Sequence, residues 1–143
     1  MATAGRIFEA KVFQLHLLER EHLEICRWYA KLEERLTDWQ STAAVLEAAA
    51  QLVRAILHHL VHEEEFLETV SAPLLVEQRK ANVEIAIRMM RIQDEIEKKK
   101  LSAVLQLLLL SRSWLNDHLV VEHVNVEPER KVKPIPIPIR KRC

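Results

Sequence analysis

The sequence predicts an all-α fold, an antiparallel up-down-up-down four-helix bundle followed by an extended, basic, Pro/Ile-rich C-terminal tail. Three observations carry this expectation. Apolar residues recur at spacings of three and four along four successive stretches, the pattern of amphipathic helices packed on one another. Glycine occurs once, at Gly5, which excludes Gly-rich phosphate loops and makes a β fold with tight turns improbable. Four of the five prolines fall after residue 127, leaving the preceding segment almost free of helix breakers. The chain divides accordingly into a bundle, 1–126, and a tail, 127–143.

The first stripe is Leu15, Leu18, His22, Ile25, Tyr29, Leu32 and Leu36. A break follows at Thr37–Thr42, where a Ser or Thr can cap the next helix. The second stripe is Val45, Ala49, Leu52, Ile56, His59, Glu63, Phe66 and Val70. It ends at Ser71-Ala72-Pro73, because proline suits a first helical turn and not an interior. The third reads Gln78, Asn82, Ile85, Met89, Ile92 and Ile96, and Lys98-Lys99-Lys100 supplies cations where a helix C-terminus favours them. The fourth is Val104, Leu108, Ser111, Leu115, His118 and Glu122. Short connections between four such helices, each about 20–30 residues long, favour up-down-up-down order.

Charge and composition exclude several functions. Lys+Arg and Asp+Glu are both 21 in 143 residues, so the chain lacks the cationic excess of a whole-domain nucleic-acid footprint. The N-terminus has no continuous apolar core of secretory type, and the greasiest run, Val104–Leu110, is too short to span a bilayer. Two cysteines make no disulfide framework, and Cys26 reads as a packed helix residue. The expected setting is cytoplasmic, with no membrane and no nucleic acid as partners. No Ser-His-Asp order or Cys-His pair marks a catalytic nucleophile, so an enzymatic role is not indicated. The tail carries six basic and two acidic residues around Pro134-Ile135-Pro136-Ile137-Pro138-Ile139. It reads as a flexible segment, or as a docking peptide for a protein partner or a second copy of the chain.

Polar residues on the buried stripes are the main functional signal. His22, His59, Glu63 and His118 occupy positions that face the core, and Gln78 and Asn82 do so on the third helix. A buried imidazole or carboxylate costs free energy unless it is paired or ligates a metal. His59 and Glu63 stand one helical turn apart, and facing helices of a bundle are a common place to assemble a metal from such groups. The same residues also form a metal-free hydrogen-bonded network on this reading. His16, His58 and His62 are assigned to the surface or flank, with His62 reaching a metal only if the helix is rotated.

His59-Leu60-Val61-His62-Glu63-Glu64 resembles the second-helix motif of hemerythrins, His-x-x-x-Glu followed by an acid. Trp114-Leu115-Asn116-Asp117-His118-Leu119 resembles the fourth-helix motif of that family, and His22 stands where it places its first ligand. The resemblance covers residues 8–126. It implies a non-haem iron centre in which His22 and His59 serve one iron, Glu63 bridges, and His118 serves the other. The third-helix His-x-x-x-His is replaced by Gln78 and Asn82, and His123 stands where the bridging Asp belongs.

These departures favour one metal over two. Amides are poor iron ligands, and imidazole normally ligates one ion through one nitrogen. His22, His59, Glu63 and His123 make a suitable set for a single Fe(II), Zn(II) or Mn(II), with His118 as a fifth ligand or a supporting group. A dinuclear site would need Glu77 or Glu122 as a substitute. Reversible dioxygen carriage draws electrons from two irons, so the leading expectation is sensing, storage or redox handling of metal, dioxygen or nitric oxide. The alternative is a metal-free module that assembles through its tail.

Overall fold

The computed structural model describes residues 4–39, 41–69 and 72–126, with side chains described over 14–39, 41–69, 73 and 76–117. These segments form an all-α four-helix bundle: α1 (Ala4–Asp38), α2 (Thr42–Glu68), α3 (Ala72–Glu97) and α4 (Ser102–Val126). The tail anticipated at 127–143 lies outside the described residues.

The helix boundaries follow local chemistry. α1 is longer than expected, 35 residues, because neither proline nor glycine interrupts the chain between Gly5 and Asp38. It ends as Trp39 turns to φ 35°. Ser41 then takes an extended backbone and accepts a hydrogen bond from the Ala44 amide at 3.0 Å, capping α2. Arg35 near the end of α1 donates to the Ala44 carbonyl at 2.7 Å and lies 3.5 Å from Glu47, fastening the two helices at their connection. Pro73 falls in the first turn of α3, where its missing N–H leaves no bond unmade.

The end of α3 shows how a chain almost without glycine stops a helix. The Lys99 amide donates to the Ile96 carbonyl at 2.9 Å and the Lys100 amide to the Glu95 carbonyl at 3.0 Å. This is a Schellman closure, with Lys99 in the left-handed region at φ 60°. A residue with a Cβ sits there at a cost of about 1–2 kcal/mol.

α2 is the middle of the bundle. Its buried residues include Val45, Ala48, Ala49, Leu52, Val53, Ile56 and Leu60, so apolar side chains cover more than one of its faces. Ala48 and Ala49 are small, which lets neighbouring backbones come close. Ile25, Tyr29 and Leu32 of α1, Met89, Ile92 and Ile96 of α3, and Val104, Leu107 and Leu115 of α4 complete the apolar core. Among the described residues α2 is also the helix long and apolar enough, by length and composition, to cross a membrane. In the bundle its apolar residues pack against the other helices. α4 is apolar on its outer side as well, leaving Leu105 and Leu109 at 60% and 72% exposure.

Lys99→Gly should raise the unfolding free energy by about 0.5–1 kcal/mol, because glycine takes positive φ without steric cost. Urea denaturation checks this, and a midpoint unchanged or lowered would contradict the strained closure.

Candidate metal centre

Beyond the apolar core, at the middle of α1 and the C-terminal half of α2, the packing turns polar. Its centre is His59, which has no exposed surface. The His59 Nδ1 lies 3.1 Å from Glu21 Oε1. Its Nε2 lies 3.0 Å from His22 Nε2 and 3.3 Å from Glu63 Oε2. The ring packs edge-to-face with Trp114 of α4, with centroids 6.0 Å apart. Glu63 is likewise buried, one helical turn from His59 as the sequence spacing implied.

The carboxylate of Glu21 reaches in two directions. One oxygen bonds to His59 and the other lies 2.5 Å from Nδ1 of His62. Burial alone would push its carboxyl up. Hydrogen bonds from His59 and His62, together with the positive charge those imidazoles can carry, outweigh burial and hold it below its ordinary value of 4.5. Glu21 is therefore an ionised acceptor, and the Nδ1–H groups of both histidines are the donors.

That assignment decides what His59 can do with its other nitrogen. With the proton on Nδ1, neutral His59 presents a lone pair at Nε2, the arrangement in which a carboxylate orients a metal-ligating imidazole. Two donor atoms each about 2.1 Å from one ion, at angles of about 90–110°, stand roughly 3.0–3.4 Å apart. The separations around His59 Nε2, 3.0 Å to His22 and 3.3 Å to Glu63, fall in that interval. Each pair taken singly is spaced as two ligands of one ion are, and each is equally a hydrogen-bond or ion-pair distance. Without an ion, a proton on His59 Nε2 must serve the same convergent atoms.

The remaining expected residues fall as follows. His118 and His123 belong to α4, and their side chains lie outside the described residues, as does that of Glu122. Gln78 and Asn82 of α3 engage each other, with Gln78 Nε2 donating to Asn82 Oδ1 at 3.0 Å. Asn82 is buried, Glu77 is exposed, and His16 is an exposed residue 3.8 Å from Glu19.

Two participants escaped the sequence reading. His62, expected on the flank, turns inward to Glu21, a residue that the apolar stripe of α1 does not include. The signal for both lies in register. Glu21 is one position before a stripe residue, and His58 and His62 stand one turn apart beside His59. Among the described residues, the group of three whose ligand atoms all lie within 4.8 Å of one another is Glu21, His58 and His62.

No protein-family model, curated protein or solved structure matches the chain.

A carboxyl group held low in the folded chain adds stability above its unfolded value, and that stability disappears as the pH falls through the folded value. Metal-free protein should therefore retain the Glu21 contribution above pH 4.5 and lose it progressively below. Glu21→Gln should show a smaller loss of urea-unfolding free energy over the same acid interval. Equal losses in both proteins would contradict an ionised Glu21.

Proposed function

We propose that this chain is a cytoplasmic, hemerythrin-like, antiparallel up-down-up-down bundle that holds one non-haem metal ion in sensing, storage or redox handling of metal, dioxygen or nitric oxide. The observation that carries the reading is the convergence of His22 Nε2 and Glu63 Oε2 on His59 Nε2, at 3.0 and 3.3 Å, with Glu21 behind His59 Nδ1. Two imidazoles and one carboxylate suit iron, with zinc and manganese as alternatives. His118 and His123 of α4 are the further ligands this reading assigns. Gln78 and Asn82, bonded to each other where the family resemblance would put two histidines, support one metal and not two. The connections at 39–41, 69–71 and 98–101 are short enough to join neighbouring antiparallel helices.

A bound ion would act as a Lewis acid with positions left for water or a diatomic ligand. The chain's own contributions are distinct from that. Glu21 fixes the His59 tautomer, Trp114 packs against the ring, and the apolar residues around His59 exclude bulk water.

His59→Ala should remove the bound metal, seen as metal content per chain, and with it the rise in melting temperature that added Fe(II) or Zn(II) produces. The variant starts from a lower melting temperature because a buried side chain is lost, so the metal-dependent increment is the test. An undiminished increment would sink the ligand assignment.

A second reading is a metal-free module that assembles through residues 127–143 with itself or another protein. It predicts that a chain ending at residue 127 keeps its helical circular dichroism but changes mass in light scattering. An unchanged mass and unchanged pull-down partners would remove this role from the tail.

A further inference from the structure

We propose that Glu21, His58 and His62 form a second metal site, on the solvent side of the α1–α2 pair, that takes a divalent transition metal such as Zn(II), Co(II) or Ni(II). One ligand atom from each of the three residues lies within 4.8 Å of the other two. His58 and His62 are four residues apart on α2, the spacing that places two imidazoles on one helix face, and their ring centroids are 4.4 Å apart. Glu21 completes the set from α1.

The carboxylate is already positioned. His59 Nδ1 binds one of its oxygens at 3.1 Å, which leaves the second directed at His62. Burial is graded across the set: Glu21 is buried, His62 half-buried and His58 exposed. The site is therefore anchored at its inner end and open at its outer end, where water can fill the remaining coordination positions. His58, on the exposed side, has the rotamer freedom to draw the three donors onto one ion.

The donor set selects the class of metal. Two imidazole nitrogens and one carboxylate oxygen suit borderline transition metals with open positions. Ca(II) and Mg(II) take shells made of oxygen, so they are disfavoured. The site uses none of the ligands assigned to the inner centre and stands whether or not that centre binds an ion.

Isothermal titration of Zn(II) into the metal-free full chain tests the proposal, with His58→Ala, His62→Ala, His22→Ala and His16→Ala alongside. His58 and His16 are exposed, so their variants should keep the wild-type helical signal. The expected result is a zinc equivalent in the wild type that is lost, or weakened about 10–100-fold, in both His58→Ala and His62→Ala. The same equivalent should persist in His22→Ala and His16→Ala. Co(II) absorption in the visible should show an imidazole-ligated spectrum that His58→Ala reduces and His16→Ala leaves alone. Isotherms that His58→Ala and His62→Ala do not alter would overturn the site, as would a wild-type chain that takes up no zinc. Loss of an equivalent in His58→Ala with none in His22→Ala would keep this site and remove the inner one. The reverse pattern would do the opposite.

Discussion

A fully buried imidazole must be satisfied at both nitrogens, and His59 is the residue on which that requirement falls. An unmet buried polar group costs about 1–3 kcal/mol, so the chain around His59 is arranged to supply partners. Glu21 and His22, adjacent on α1, meet its two sides, and Glu63 comes from the next turn of α2. The pairing fixes the register of α1 against α2 at one end. Arg35, bonded to the Ala44 carbonyl, fixes it at the other. Between these points the interface is apolar and non-directional, and a slide of one helix along the other would separate both sets of bonds at once.

The same constraint links stability to chemistry. Glu21 stabilises the fold because it is ionised and bonded to two histidines, and that bonding sets the His59 ring with its Nε2 beside His22 and Glu63. A group that positions a ligand is here also a group that holds two helices together. The α3 side is built differently. Gln78 and Asn82 satisfy part of each other's polarity, so α3 adds a neutral wall with no charged ligand of its own among the described buried residues.

Much of the fold was legible because helices report themselves by period and by terminators. The described members of the four stripes are buried or half-buried, and the Ser41 cap, Pro73 in a first turn and the triple lysine beyond α3 lie where local chemistry places them. The N-terminal extent of α1 was not, since nothing in residues 4–14 distinguishes a continuing helix from a leader except the lack of a breaker. In the site, His59 and Glu63 were readable from their i, i+4 spacing on an apolar face. Glu21 and His62 were not, because each stands at the edge of its stripe. Whether an edge residue faces solvent or the neighbouring helix depends on rotation about the helix axis, which spacing along one helix does not specify.

The most direct test of the metal-binding account is metal content per chain, by inductively coupled plasma mass spectrometry, on protein made in iron-supplemented cells and purified without chelators. The account predicts at least one transition-metal equivalent that stays bound through gel filtration. Protein that carries none, and takes up none on anaerobic reconstitution with Fe(II), would contradict it and leave the buried cluster as a proton-sharing network that holds α1 to α2.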